Sequence, residues 1–448
     1  MSTQQAYLCR AVSTITALFL LSLLGLILSA DENRHNTATR SLAQHLRRLR
    51  ALLAVCRTGS TSQAAKLLPL SQSAIARAVR QLEQDLGTEL FLREARGMAP
   101  TKEGRLLAHR TARALVQLET AEAEAERSSG GREPRARLVK GRFAGACSYR
   151  HLLAYVIFCE THSEHLAARR LGISQPAVNQ ALRQVSYMLG AILYQRTSRG
   201  MRLTESGEAV LRRIKLALHE LRLAEEELNA IAGRLRGRII IGSLPLSAGM
   251  LVPRSIDRLL ARHADLHVTI VDGTYDALLS QLLHADVDVI VGALRPAPVS
   301  PEIVQEALFT DTLSVVARRG HPLLRQPLHG LGDLAGASWI APLAGTPARD
   351  AFERAFLADD VAPPPSPLEA NSAVVVQALL LDSDRLALLS PWQVQRGVAS
   401  GQLAVLPVRV RDTAREIGLT MRRDADPGMG LRLFQEEIRA LAKEEYIS

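Results

Sequence analysis

Ser174-Gln175-Pro176-Ala177-Val178-Asn179-Gln180-Ala181-Leu182-Arg183 is one of two closely similar segments in this chain of 448 residues. A shift of 103 residues aligns it with Ser71-Gln72-Ser73-Ala74-Ile75-Ala76-Arg77-Ala78-Val79-Arg80. The alignment holds without a gap from Ser60 to Gly104, and about 19 of these 45 positions are identical in the two copies. Identity at this level over an ungapped stretch predicts a duplicated structural unit.

Each copy has the pattern of a helix-turn-helix unit. Paired alanines, which begin at Ala64 and at Ala167, lie in a short helix, and a helix-capping serine, Ser71 or Ser174, precedes the next one. That next helix has apolar residues at helical spacing on one face and Gln, Asn, Ser and Arg on the other. Because such side chains bond base edges in the major groove, the pattern predicts a recognition helix. The alternative is an amphipathic helix whose polar face is only solvated.

A short apolar segment and an arginine-rich stretch follow each helix and predict a two-stranded wing, whose arginines would contact phosphates. The candidate DNA-contacting residues of the first copy are Gln72, Ser73, Arg77, Arg80, Arg93 and Arg96. Those of the second copy are Gln175, Pro176, Asn179, Gln180, Arg183, Arg196 and Arg199. Because the two sets differ, we expect the copies to prefer different bases, or one copy to have lost specific binding.

Together, Ala-Ala, Ser-Gln-Pro-Ala-Val, Leu-Gly, Leu-Tyr-x-Arg, Arg-Gly and Leu-Thr-x-x-Gly resemble the winged helix of LysR-type transcriptional regulators. The second copy matches this pattern better, since the first departs from it at Pro69, Ser73 and Pro100. Most members of the family carry one such unit. The resemblance implies a DNA-binding transcription regulator with a C-terminal effector domain, built from two α/β lobes like a periplasmic solute-binding protein.

The composition is consistent with a polyanionic partner. The formal net charge is +10, and aromatic residues make up only 4% of the chain, so stacking on bases is not the expected mode of contact. Four cysteines show no metal-site spacing, and Cys56 and Cys159 fall at equivalent apolar positions, which predicts buried free thiols. No nucleophile elbow or phosphate-binding glycine loop is present. We therefore expect neither an enzyme nor a metal or cofactor site.

The segment 1–40 contains twenty uncharged residues, 11–30, which is long enough to span a bilayer. Three interpretations compete: a membrane anchor with a cytoplasmic C-terminal side, a mis-assigned translation start, and a cleaved signal peptide. Export is the least favoured of these, because it would separate the DNA-binding units from DNA. The expected location is therefore the cytoplasm, either free or tethered to the inner face of the membrane.

The patterns divide the rest of the chain into five parts: a first winged helix at 41–105, a helix and Arg-rich linker at 106–148, a second winged helix at 149–208, a linker helix at 209–236 and an effector domain at 237–448. Within 209–236, Leu211, Ile214, Leu218, Leu221, Leu228 and Leu235 recur at spacings of three, four and seven, which predicts a coiled-coil seam. The resemblance implies that this helix pairs with a second subunit, in a homodimer or homotetramer. The alternative is a helix that packs on its own domain.

From Arg238 onward, apolar strands alternate with helices, which predicts α/β lobes. We place crossovers near 295–300 and 396–401, so that lobe one comprises about 237–297 and 400–448, and lobe two 298–399. The fold class expected for the whole chain is α+β multidomain: two winged helix-turn-helix units, a long linker helix and a two-lobed domain.

Small polar residues lie where predicted strands end or helices begin, and there hydroxyls and backbone N–H groups form anion sites. The candidate effector-binding residues are Ser243, Ser247, Thr346, Asn371 and Ser390. They predict a small carboxylate-bearing or sugar-like effector between the lobes, although each residue alone has an ordinary alternative role as a helix cap. The alternative function is a membrane-tethered solute sensor whose winged helices mainly contact proteins.

Overall fold

The computed structural model describes residues 41–94, 97–128, 142–198, 200–244, 251–296, 300–365 and 368–446. The chain divides into two compact units, and the boundary in the sequence falls between Ile231 and Ala232. The expected apolar segment 1–40 and the Arg-rich stretch 129–141 lie outside the described residues. Among the helices that are described, none is both long and apolar enough to cross a bilayer.

The first unit contains both copies of the repeat. The first copy comprises helices α1 (Leu46–Thr58), α2 (Thr61–Leu67), α3 (Gln72–Leu86), strands β1 (Phe91–Glu94) and β2 (Gly97–Pro100), and the long helix α4 (Lys102–Ser128). A short helix α5 (Arg142–Ala146) follows. The second copy comprises α6 (Tyr149–Thr161), α7 (Glu164–Leu171), α8 (Gln175–Leu189), β3 (Tyr194–Thr197), β4 (Gly200–Leu203) and α9 (Glu205–Ile231). Each strand pair is an antiparallel wing, as expected.

The predicted recognition helices, α3 and α8, begin and end where local chemistry dictates. The Ser71 side chain accepts a hydrogen bond from the Ala74 N–H at 3.2 Å, and Ser174 occupies the equivalent cap position. Gly87 and Gly190 end the two helices in the left-handed conformation, which glycine adopts without steric cost. The same sequence features thus produce the same element in both copies.

In each copy the wing packs against the start of the long helix through a glycine. A Cβ atom added at Gly104 would lie 2.1 Å from the carbonyl oxygen of Leu90, and one added at Gly207 would lie 2.0 Å from that of Leu193. No side chain fits at either position without moving the backbone. The repeated Thr-x-x-Gly therefore fixes how closely the wing approaches the long helix.

The helix predicted at 209–236 is α9, which begins four residues earlier, at Glu205, and ends at Ile231. Leu235 lies beyond its end and packs against the core of the second unit. The apolar seam of α9 is covered by α4 of the same chain, and both copies share one hydrophobic core. The family resemblance implied that a second subunit would cover this seam. In this structure α4, from the first copy in the same chain, covers it instead.

In the residues that the structure describes, the second unit has two sheets. One has five strands in the order β6 (Leu266–Asp272), β5 (Gly237–Ser243), β7 (Val289–Ala293), β13 (Arg415–Arg422) and β8 (Ile303–Asp311). The other has four, in the order β10 (Ser338–Trp339), β11 (Arg385–Leu389), β9 (Ser314–Arg318) and β12 (Leu403–Val405). Their helices are α10 (Leu251–Arg262), α11 (Tyr275–Leu283), α12 (Pro347–Leu357), α13 (Ala373–Leu381), α14 (Pro391–Ala399) and α15 (Met429–Tyr446).

The lobe boundaries differ from the predicted ones. Strand β8 was not predicted, and it pairs with β13 in the first sheet, so 303–311 belongs to lobe one. Strand β12 pairs with β9 in the second sheet, so 403–405 belongs to lobe two. The chain therefore crosses between Asp311 and Ser314 and again between Val405 and Arg415, not near 295–300 and 396–401. Polar residues interrupt the apolar pattern of β8 in the sequence and concealed this strand: Gln305, Glu306, Thr310 and Asp311.

Candidate nucleic-acid interface and effector site

The first recognition helix, α3, presents a polar face to solvent. Gln72, Ser73, Arg77 and Arg80 are exposed, whereas the apolar residues of the opposite face enter the core. The Gln72 side-chain amide donates to the Thr61 hydroxyl at 3.4 Å and so connects this face to α2. The two arginines project from consecutive turns of the helix, where they can meet a base edge or a phosphate.

The second recognition helix, α8, has a similar exposed face with different chemistry. Gln175, Pro176, Gln180 and Arg183 are exposed, and Asn179 is half-buried. The Asn179 side-chain amide donates to a carboxylate oxygen of Glu164, on α7, at 2.8 Å. These six residues line one shallow depression on the surface. A carboxylate beside the amides allows this face to accept hydrogen bonds as well as donate them, as recognition of a cytosine amino group requires.

Each wing carries one of the arginines predicted to contact phosphates, and the two arginines occupy equivalent positions. Arg93 on β1 lies opposite Met98, Arg196 on β3 lies opposite Met201, and both arginines are exposed. The other two predicted wing residues, Arg96 and Arg199, lie outside the described residues. The arrangement suits contacts from the wing to a phosphate backbone beside the groove.

The cysteines that the structure describes are free thiols. Cys147 and Cys159 are buried and Cys56 is half-buried, and burial raises the pKa of Cys56 and of Cys147 to about 11. Burial also raises the pKa of Cys159. The prediction of buried free thiols, made for Cys56 and Cys159, is confirmed for Cys159, whereas Cys56 is a free thiol that is only half-buried. Within the described ranges, no cluster of His, Cys, Asp or Glu has a geometry that could hold a metal ion.

The predicted effector residues have different environments in the second unit. Thr346 caps α12, and Ser243 ends β5; both are half-buried, as is Asn371 next to the start of α13. Ser247 lies outside the described residues. Ser390 is only 3% exposed: it caps α14 and donates to Asp311 at 2.6 Å. Burial in this network gives Ser390 a structural role, in contrast to the expected contact with an effector.

Sequence reasoning missed Arg295, which follows β7. Its guanidinium donates to the carbonyl oxygen of Gly345 at 3.0 Å, and so links the first lobe to the loop that precedes Thr346. The same guanidinium lies 4.5 Å from the ring centroid of Tyr275. The signal available in the sequence was its position directly after a buried parallel strand, where ligand-binding residues of α/β sheets occur.

Two protein-family models match three stretches of the chain. Residues 46–105 and 149–208 each match the model described as bacterial regulatory helix-turn-helix protein, lysR family. Residues 232–443 match the model of the LysR substrate binding domain. The two helix-turn-helix matches coincide with the duplicated segments, so both copies are independently recognisable as the same domain.

Curated relatives cover most of this chain. The HTH-type transcriptional regulator GalR of Pseudomonas putida is 36% identical over 378 residues, which are 84% of this chain and 92% of that protein. The HTH-type transcriptional regulator PcaQ of Agrobacterium fabrum is 32% identical over 296 residues, 66% of this chain and 95% of PcaQ. These relatives are transcription regulators and not enzymes.

Solved structures share the fold. A single-residue variant of full-length OxyR from Pseudomonas aeruginosa aligns with a TM-score of 0.52 at 18% identity, covering 65% of this chain and 94% of that one. CbnR, a LysR family transcriptional regulator, aligns with a TM-score of 0.50 at 19% identity, covering 66% of this chain and all of that one. The expected architecture of helix-turn-helix, linker helix and two-lobed α/β domain is confirmed.

Proposed function

Because this chain belongs to the LysR family of DNA-binding transcription regulators, we propose that α3 and α8 both lie in the major groove of duplex DNA and contact its base edges. The proposed base-contacting residues are Gln72, Ser73, Arg77, Arg80, Gln175, Pro176, Asn179, Gln180 and Arg183. The proposed phosphate-contacting residues are Arg93, Arg96, Arg196 and Arg199. The observation that supports this assignment is the exposure of both polar helix faces above a closed core.

The proposal is tested by titrating labelled duplex from the region upstream of the gene with the full chain, in the presence of non-specific competitor DNA. Specific binding is expected to survive the competitor and to weaken as salt concentration rises, because phosphate contacts release counterions. Binding that the competitor abolishes would leave only non-specific affinity and would contradict base recognition by either helix.

Single substitutions in α8 test its residue roles. Asn179→Ala, Gln180→Ala and Arg183→Ala are each expected to cost about 1–3 kcal/mol of binding free energy, at one or two base positions of the operator. Arg127→Ala is the matched control, because it removes a 74%-exposed arginine at the end of α4, outside both helix-turn-helix units. Equal losses in the control and the α8 variants would show that only net charge matters.

We propose also that the second unit binds a small carboxylate-bearing or sugar-like effector near Ser243, Ser247, Thr346 and Asn371, with Arg295 beside them. Support comes from Arg295, which joins the two lobes next to Thr346 and provides a cation for a carboxylate. A ligand inserted there would compete for the Arg295–Gly345 contact and change how the lobes approach each other. Such a change would transmit effector binding to the rest of the chain.

The effector proposal is tested by thermal denaturation of the full chain with a panel of small carboxylates and sugars. A true effector is expected to raise the melting temperature, and the rise should shrink in Thr346→Ala and Ser243→Ala. Ser400→Ala, an exposed serine at the end of α14, is the control and should leave the response unchanged. A ligand whose effect ignores both substitutions binds elsewhere.

DNA binding requires a cytoplasmic location, which we propose for the chain. A tether through residues 11–30 is supported only by their hydropathy, and the comparisons offer nothing for the alternative of a membrane-tethered sensor. Mass spectrometry of the native N-terminus, together with membrane fractionation, tests the tether. Recovery of the intact segment in the membrane fraction would support it, and a soluble chain that begins after residue 30 would exclude it.

A further inference from the structure

The contacts between α4 and α9 are reciprocal: where a residue of α4 contacts a residue of α9, the equivalent residue of α9 contacts the equivalent residue of α4. Arg110 on α4 forms an ion pair with Glu227 on α9 at 2.5 Å. Arg213 on α9 forms an ion pair with Glu124 on α4 at 2.6 Å. Arg213 and Glu227 are the counterparts of Arg110 and Glu124 under the 103-residue shift. The second ion pair is therefore the first with the copies exchanged.

A second pair of contacts obeys the same rule. Arg110 donates to Glu220 at 2.9 Å, and its counterpart Arg213 donates to Gln117 at 3.1 Å. Gln117 and Glu220 are again separated by 103 residues. An early residue of each helix meets a late residue of the other, so the helices are antiparallel. Reciprocal contacts of this type define a two-fold interface, which normally joins two identical subunits.

The residues of this interface are buried by contacts within one chain. Arg110 is only 1% exposed, and the apolar faces match position by position: Leu107 with Val210, Ala114 with Ala217, Leu118 with Leu221, and Ala121 with Ala224 are all buried counterparts. The short turn at Leu42–His45, at the start of the first copy, packs on α9, and α5, just before the second copy, packs on α4. In the described part of the first unit, the seam consequently leaves no apolar face for the α9 helix of a second chain.

The two-fold interface makes α3 and α8 equivalent in position, but the polar faces of these two helices are not identical. Gln72 and Gln175 correspond, as do Arg80 and Arg183. Ser73, Ala76 and Arg77 of α3 are replaced by Pro176, Asn179 and Gln180 in α8. Beside them, Thr61 in the first copy corresponds to Glu164 in the second, and only Glu164 holds an asparagine amide. The two recognition surfaces therefore differ in charge and in hydrogen-bonding groups.

We propose that one chain supplies both halves of a two-fold DNA-binding head, so that each operator element consists of two unlike half-sites, one contacted by α3 and one by α8. This inference rests on the proposed DNA binding. Pro176, Asn179 and Gln180, with Glu164 behind them, are the residues that distinguish the second half-site from the first. An operator of this kind is bound in one orientation only, which a symmetric inverted repeat does not impose.

The test is a selection of binding sites from random duplexes with the full chain. The expected result is an element with two halves of different sequence, in which Arg77→Ala alters preferences in one half and Asn179→Ala in the other. An element with identical halves, or one in which both variants alter the same half, would overturn the inference while leaving the proposed function intact. Failure to enrich any sequence would instead count against the proposed function itself.

A gain-of-symmetry variant makes the test sharper. A fourfold variant gives the second recognition surface the residues found at the equivalent positions of the first. Its substitutions are Pro176→Ser, Asn179→Ala, Gln180→Arg and Glu164→Thr. The selected element should then become an inverted repeat of the half-site formerly contacted by α3, with binding retained on that duplex. Persistence of the original unlike halves in this variant would show that other residues determine the second half-site.

Cross-linking tests whether the head forms within one chain. Gln117→Cys and Arg213→Cys place two thiols at one contact of the interface, and a short bis-maleimide joins them in the full chain. On a denaturing gel the joined product should migrate as a monomer, and each single variant is the control for the native cysteines. A dimeric product specific to the double variant would show that the interface forms between chains and would overturn the proposal.

Discussion

Two buried arginines in the first unit have opposite environments. Arg110 is bonded to Glu220 and Glu227, whereas the Nε and Nη1 atoms of Arg50 have no partner in the described part of the chain. Burial lowers the pKa of Arg110, but the hydrogen bonds to Glu227 and Glu220 more than offset this and leave it raised. Burial lowers the pKa of Arg50, and its contacts with Cys147 do not restore it.

We therefore expect Arg110→Met to destabilise the first unit by about 3 kcal/mol, because it removes the buried cation shared by Glu220 and Glu227, although Glu220 keeps its ion pair with Arg113. Arg50→Met should be neutral or stabilising, because it replaces a poorly paired buried charge with an apolar side chain. Both variants are compared with the parent chain by urea denaturation. A loss for Arg50→Met as large as that for Arg110→Met would contradict this account.

At the same scale, the sequence identified the polar residues of both recognition helices, because an amphipathic period determines which side chains face outward. It did not show that Asn179 is bonded to Glu164 or that Ser390 is buried against Asp311. Both bonds join residues that are distant in the chain or lie on different helices. A capping serine has the same local pattern whether it faces a cleft or the core.

Among the secondary-structure elements, the close approach of wing and long helix depends on one glycine in each copy. Gly207→Ala is expected to lower the melting temperature and weaken DNA binding, because the new Cβ collides with the Leu193 carbonyl and displaces the second wing. Gly104→Ala should have a similar effect in the first copy.

Gly145→Ala in α5 is the matched control, since a Cβ there meets nothing within 4 Å, and alanine favours a helix. Thermal denaturation and DNA titration of the three variants check this prediction. A Gly207→Ala chain with the stability of the Gly145→Ala chain would show that the wing adapts freely.

One strand of the second unit was missed from the sequence. Residues 303–311 form the longest strand described in that unit, but its apolar pattern is broken by the polar residues Gln305, Glu306, Thr310 and Asp311. Its place at the edge of the five-stranded sheet explains this pattern, because an edge strand has fewer neighbours and tolerates polar residues. Pairing with β13, more than a hundred residues later, holds it in lobe one.

For the chain as a whole, removal of the first copy should change how it associates. A shortened chain of residues 142–448 keeps the second winged helix but exposes the face of α9 that α4 normally covers. We expect it to pair with a second copy through this face, because burying apolar area stabilises association. Sedimentation should show a higher association state than that of the full chain. An unchanged state would mean that α4 is not needed to cover the seam.

Periodicity and residues close in the chain were enough to predict the duplication, the helix-turn-helix units, their caps and the α/β alternation. Family comparison confirmed the regulator and its fold class. The covering of the α9 seam and the assignment of β8 and β12 to their lobes became known only from the folded chain. An apolar stripe specifies that a face must be buried, but many partners satisfy it equally. Which partner buries the face is determined by long-range contacts that form when the chain folds. Here those contacts join α4 and α9, which lie 103 residues apart in the sequence.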